Sequence, residues 1–130
     1  MHSSHLLQPP SNQAIWENAH ALARYAAISQ ENGLVPIVEP EVTLGEGNYP
    51  IERTAYISER VNSIVMNWLN RYDVCLDAIL LKPNMILPGL DAPVAPKEEV
   101  AKWTVKVRAY WTRMPRRGWW DEILETGGGG

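Results

Sequence analysis

One cysteine, Cys75, occurs in the 130 residues of this chain. A lone thiol excludes an intramolecular disulfide, which favours a reducing compartment, and its place inside an apolar run reads as a small core residue. No apolar stretch approaches the ~20 residues that a membrane-spanning helix needs. The opening Met1-His2-Ser3-Ser4-His5 lacks the charged and apolar regions of a secretory signal, and its two histidines read as loose terminal residues rather than metal ligands. An excess of positive charge is also lacking: a net charge of −3 and a pI near 5.6 leave no basic footprint for nucleic acid. Neither nucleic acid nor a membrane is therefore expected as a partner, and no internal repeat is present. What remains is a chain with 45% hydrophobic residues, inside the globular range, and long enough for one domain or a piece of a larger one.

The pattern along the chain alternates helix and strand. Residues 1–10 read as a polar, flexible lead-in. Ser11 is placed to cap a helix whose apolar positions Ile15, Ala19, Leu22 and Ala26 recur at helical spacing, and Asn32-Gly33 suits a left-handed C-terminal turn. His20 within it reads as a surface or packing residue. Leu34 to Val42 reads as a strand, with Pro36 and Pro40 awkward for regular pairing. Pro50 suits the first turn of a second helix, striped by Ile51, Ala55, Ser58, Val61, Ile64, Val65, Trp68 and Leu69, with Asn62 among the residues of its polar face. Met66 and Trp68 read as core. Val74 to Leu81 is an almost wholly apolar run that reads as a buried strand, followed by a loop, Pro83 to Pro93, too apolar for a mere surface linker. Pro96 opens a third helix with Glu98 and Glu99 in its first turn and Val100, Trp103, Val107 and Trp111 as its stripe. Pro115 ends that pattern, and residues 116–130 form a divergent Trp/Gly-rich tail.

Two polar clusters stand out, both at strand C-terminal ends. Side chains alternate along a strand, so Val35, Ile37, Glu39 and Glu41 share one face. Lys82 ends the apolar run and is stopped by Pro83. Partial burial would lower its pKa and leave a neutral amine able to form a Schiff base with a carbonyl. Equally, such a lysine snorkels outward where a strand reaches water, and the two glutamates are read as a solvated strand end. Long amphipathic helices between the strands are the crossovers that parallel pairing requires. Strand C-terminal ends are also where active sites sit in (β/α)₈ barrels and open α/β sheets. The fold class is α/β, with two strands too few to close a barrel.

The stretch Ala23-Arg24-Tyr25-Ala26-Ala27-Ile28-Ser29-Gln30-Glu31-Asn32-Gly33-Leu34-Val35-Pro36-Ile37-Val38-Glu39-Pro40-Glu41 resembles class I fructose-1,6-bisphosphate aldolase. So does Leu80-Leu81-Lys82-Pro83-Asn84-Met85 with Leu87-Pro88-Gly89 after it, and Ala95-Pro96-Lys97-Glu98-Glu99-Val100-Ala101. The likeness covers residues 10–115 and about a third of a family member. It implies a segment of a (β/α)₈ TIM barrel, helix-strand-helix-strand-helix, in an incomplete barrel whose fifth and sixth strands are Leu34 to Val42 and Val74 to Lys82. Lys82 aligns with the Schiff-base lysine, Glu39 with the acid/base carboxylate and Glu41 with a second glutamate near the site. The substrate implied is a sugar bisphosphate, cleaved without metal or cofactor because the iminium serves as the electron sink. Full-length members are homo-oligomeric, as tetramers, and cytoplasmic or plastid.

Departures from the family are equally specific. Its earlier strands supply an aspartate and basic residues, including a lysine close to the Schiff-base lysine, and its last strands supply a Ser-Gly-Gly phosphate loop and an arginine. Gly118-Trp119-Trp120-Asp121-Glu122-Ile123-Leu124 lacks the Leu-Ser-Gly-Gly pattern, and Ala95 stands where a capping Ser or Thr is usual. Little activity is expected of the isolated polypeptide. The alternative is a non-catalytic fragment or pseudoenzyme that associates with other aldolase chains. Another Schiff-base barrel enzyme, such as a transaldolase, fits the layout but not the motifs.

Overall fold

Ser11 starts the first helix in the way its side chain allows: its Oγ accepts a hydrogen bond from the Ala14 amide at 3.1 Å, satisfying one donor that a helix start leaves over. The computed structural model describes residues 10–42 and 47–112. Within them α1 runs Asn12–Glu31, β1 Ile37–Val38, α2 Ile51–Arg71, β2 Leu80–Leu81 and α3 Lys97–Thr112, with a single 3₁₀ turn at Leu76–Ala78 ahead of β2. The expected order of helix, strand, helix, strand, helix is the observed one. Nearly all of the lead-in and the whole tail from Arg116 lie outside the described residues.

In α1 the buried line is Ile15, Ala19, Ala23 and Ala26, with Leu22 only half-buried beside it. Its end is a paired turn: the Gly33 amide donates to Gln30 O at 3.0 Å and the Leu34 amide to Ser29 O at 2.9 Å. Gly33 has φ of 73°, a left-handed conformation that costs glycine nothing. His20 packs against Trp68, its ring 4.6 Å from the indole, and its Nε2 lies 2.7 Å from the Tyr72 hydroxyl. It is the packing residue expected.

Pro50 sits at the cap position of α2, one residue before its first turn. The buried arc of this helix is wider than a single stripe, because it touches both α1 and α3. That corrects the place of Asn62: with Thr54 and Ser58 it forms a line at four-residue spacing inside the buried arc, not on a solvated face. Met66 is core, and Trp68 packs half-buried against it. In α3, Val107 and Trp111 are buried, Val100 and Trp103 half-buried, and Lys97, Lys102 and Lys106 exposed, as the spacing predicts.

Two apolar clusters result. Ala19, Ala23 and Ala26 of α1, Val65, Met66 and Leu69 of α2, and Val38 of β1 meet in the first. Ile51, Ala55, Val107 and the loop residue Ile86 meet in the second. The loop after Lys82 is therefore partly core: Ile86 and Gly89 are buried, while Met85, Leu87 and Leu90 are exposed. Gly89 is required by proximity, since a Cβ there would collide with the Gly47 carbonyl and the Tyr49 amide.

The sheet departs most from expectation. β1 and β2 pair in parallel, Ile37 with Leu80 and Val38 with Leu81. Pairing covers two residues a strand, not the nine expected of Leu34 to Val42 and of Val74 to Lys82. Pro36 and Pro40 explain the limit, because neither offers an amide to the ladder. Part of the second run is instead the 3₁₀ turn. Nor is that run buried throughout: Val74 is core, with Leu76 and Ile79 half-buried against it, but the rest is not. Leu80 is 58% exposed, and Leu81 and Cys75 are exposed too, so Cys75 is not the core residue its neighbours suggest. For Leu80 the reason is that, among the described residues, helices cover only one side of the sheet, and Leu80 faces the other beside Ile37.

Candidate functional site

Alternation along the first strand segment divides it cleanly. Pro36, Val38, Pro40 and Val42 are buried towards the helices, and Val35, Ile37, Glu39 and Glu41 are all exposed. The two carboxylates thus share a face, as their spacing predicts. Continuing the parallel register by one residue sets Glu39 opposite Lys82, so both side chains leave the sheet on the same side.

They meet there. Lys82 Nζ donates to Glu39 Oε2 at 2.6 Å, an ion pair whose side chains are 67% and 47% exposed respectively. The Lys82 pKa is raised from the ordinary 10.5 by the hydrogen bond to Glu39, then by the Glu39 charge; slight desolvation opposes this and the Glu41 charge adds to it. The expectation of a buried lysine with a lowered pKa is therefore corrected. Lysine is lowered by desolvation or a neighbouring cation, and on this open face it has a carboxylate and water instead. Glu41 is exposed two residues beyond Glu39 and acts on Lys82 through charge.

Two residues near the pair are not candidates on sequence grounds. Gln30, at the end of α1, accepts from the Cys75 amide at 2.9 Å and donates to the Cys75 and Ala78 carbonyls at 2.9 and 3.1 Å. Asn84 accepts from the Val42 amide at 3.1 Å and donates to the Val42 carbonyl at 3.2 Å. No spacing rule marks Gln30, whose partners lie 45 and 48 residues away. Asn84 carries a signal only as part of the Lys82-Pro83-Asn84 run.

Among the described residues no group of three His, Cys, Asp or Glu side chains is arranged to hold a metal ion, and no helix is long and apolar enough to cross a membrane. A cleft of about 410 Å³ lies between the N-terminal ends of α2 and α3, lined by Pro50, Pro88, Pro93, Pro96 and the carboxylate-bearing Glu52 and Glu99. Lys82, Glu39 and Glu41 do not line it.

Comparison with known proteins agrees with the motifs. The sequence model of fructose-bisphosphate aldolase class-I matches residues 4–115. A fructose-bisphosphate aldolase of Dictyostelium discoideum is 51% identical over 98 residues, 75% of this chain and 27% of the relative. The cytosolic fructose-bisphosphate aldolase 4 of Arabidopsis thaliana is 54% identical over 98 residues, 75% of this chain and 25% of the relative. In three dimensions the chain is similar to fructose-bisphosphate aldolase from Plasmodium falciparum, solved in complex with TRAP and a small-molecule inhibitor. That match has a TM-score of 0.73 and 39% identity, over 78% of this chain and 29% of the other. The chain thus spans about a quarter of the length of the curated relatives it matches. On a family match that takes in both strand ends and the loop between Lys82 and α3, this chain belongs to the class I fructose-bisphosphate aldolase family.

Proposed function

We propose that this chain carries the Schiff-base centre of a fructose-bisphosphate aldolase, with Lys82 as nucleophile, Glu39 as acid/base and Glu41 as an auxiliary carboxylate. The observation that carries the reading is the 2.6 Å contact between Lys82 and Glu39 at the C-terminal ends of adjacent parallel strands. On this reading β1 and β2 are the fifth and sixth strands of a (β/α)₈ barrel, and residues 11–115 form the barrel segment. The exposed face of Ile37, Glu39, Leu80 and Lys82 then belongs to the barrel interior.

The chemistry follows from the pair. Transfer of the Lys82 proton to a base frees its lone pair to attack the ketose carbonyl carbon. Glu39, protonated, gives its proton to the departing hydroxyl of the carbinolamine, and water leaves. The iminium accepts the electron pair of the breaking C3–C4 bond while the C4 hydroxyl loses its proton. An enamine of dihydroxyacetone phosphate and free glyceraldehyde 3-phosphate result. Protonation of the enamine and hydrolysis of the iminium return the amine.

In the 130-residue polypeptide the amine is exposed and held as an ammonium by Glu39. Both features oppose nucleophilic attack, and little activity is expected without the cations that the family places beside this lysine. The names of the plant relatives, cytosolic and cytoplasmic, favour the cytosol for the whole protein, and the family resemblance favours a homo-oligomer. A second reading is a non-catalytic segment that docks on other aldolase chains, motivated by the apolar face of Val35, Ile37 and Leu80, exposed by 63, 44 and 58%. Borohydride trapping with dihydroxyacetone phosphate, followed by peptide mass spectrometry, tests the first reading: an adduct on Lys82 supports it. Absence of that adduct, under conditions that label an intact aldolase, removes it and leaves the second.

A further inference from the structure

The ladder between β1 and β2 has two gaps: a side-chain amide fills the first, and another clamps the chain beyond the second. Leu80 N donates to Pro36 O and Lys82 N to Val38 O, both at 2.9 Å. In a parallel ladder of this register the main-chain groups of residues 36, 38 and 40 all face β2. The amide of residue 36 would therefore donate to Ala78 O, and that of residue 40 to Lys82 O. Proline occupies both positions. Ala78 O is instead taken by Gln30 Nε2, which reaches across from the end of α1. Beyond Pro40, where the chain after Pro83 has left the ladder, the Asn84 side chain takes both the amide and the carbonyl of Val42.

We infer that Gln30 and Asn84 are positioning residues: the Gln30 side-chain amide replaces the ladder partner that Pro36 cannot supply, the Asn84 side-chain amide clamps Val42 beyond the gap at Pro40, and together they hold Lys82 and Glu39 opposite one another. Gln30 fixes the approach to β2 by binding both main-chain groups of Cys75 as well as Ala78 O, four residues before Lys82. Asn84 ties the segment after Lys82 to the segment after Glu39. Each acts on the pair from one end, and neither touches it. The consequence for rate rests on the aldolase reading; the consequence for geometry does not.

The test uses the whole chain with Gln30→Ala, Asn84→Ala and the double variant Gln30→Ala/Pro36→Ala. Three readouts are taken: the Lys82 titration by NMR of its side chain, the rate of borohydride-trapped adduct at saturating dihydroxyacetone phosphate, and helical circular dichroism. Either single change is expected to move the Lys82 titration down towards 10.5 with helicity retained, and to slow trapping about tenfold or more, since misplacement of about 1 Å costs up to ~100-fold. Restoring an amide at position 36 should recover both readouts in the double variant, because the main chain there can then donate to Ala78 O. Should Gln30→Ala lose its fold, Gln30→Glu keeps the acceptor for Cys75 and removes only the donors, and the same downward shift is expected of it. The proposal is overturned if the Lys82 titration is unchanged in the single variants, or if the proline replacement gives no recovery. A wild-type chain that forms no adduct at Lys82 defeats the aldolase reading alone, and the titration still decides the positioning.

Discussion

Consecutive residues of one strand segment live in different worlds. Val38 is fully buried against α1 and α2, while Ile37 before it is 44% exposed and Glu39 after it carries half of an open ion pair. The helix-facing side is a packed core, and the other side holds the Lys82–Glu39 pair with nothing over it among the described residues. Reactive geometry and reactive environment are therefore separable. Two adjacent strands suffice to bring Lys82 to Glu39, but the dry surroundings that would make the amine a nucleophile must come from elsewhere. Substitutions on the two faces sharpen the contrast.

The largest effect is expected on the covered side. Leu69 has no exposed surface and sits at the centre of the first cluster. Leu69→Ala should destabilise the chain by about 2–5 kcal/mol through lost burial and the cavity left behind. Thermal melting followed by circular dichroism reads it, and a loss below about 1 kcal/mol would show that this cluster does not hold the helices together. The direct contrast is between neighbours. Val38→Ala should cost on the order of 2 kcal/mol, and Ile37→Ala about 0.5 kcal/mol or less. Equal losses would mean that the outer face is covered in solution, by another copy or another chain, and would make the melting midpoint depend on concentration.

How much of this the sequence discloses follows the same division. Alternation at residues 35–42 and helical spacing in the three helices are properties of the backbone period, and both are legible without a structure. Burial is not, because it depends on what stands opposite. The run from Val74 to Leu81 is apolar enough to read as core, yet Cys75, Leu80 and Leu81 are exposed, Leu80 on the face that no helix covers among the described residues. Asn62 is polar enough to read as solvated, yet it is buried where α2 meets two helices. Strand length is illegible for a third reason. A proline shows that an amide is missing, but not that Gln30 supplies the replacement donor across 48 residues of sequence, nor that Asn84 clamps Val42 across 42. The Lys82–Glu39 pair is legible from strand ends and motifs; its charge state is not.

That charge state is the next point of attack. Glu39→Gln removes both the leading causes of the raised Lys82 pKa, the hydrogen bond to a carboxylate and its charge, and leaves the weaker pull of Glu41. The Lys82 titration should fall towards 10.5, as read by NMR of the lysine side chain, and the amine should react faster with a small acylating probe at about pH 9–10, just below the ordinary lysine range. A titration that stays where it was would place the carboxylate elsewhere in solution.

The smallest effect is on stability, and its direction is fixed by the sign of the shift. A lysine whose folded pKa is raised contributes stability that is fully present below its unfolded value of about 10.5 and is lost as pH rises through the folded value. The contribution should therefore be flat from neutral pH to about pH 10 and fade above it. Both partners are largely in water, so the pair is screened and the loss slight. Melting at about pH 9, in low and high salt, should differ little between wild type and Glu39→Gln. A strong salt dependence confined to wild type would imply that the pair is less exposed in solution, and the gap between the two faces narrower, than the sheet geometry indicates.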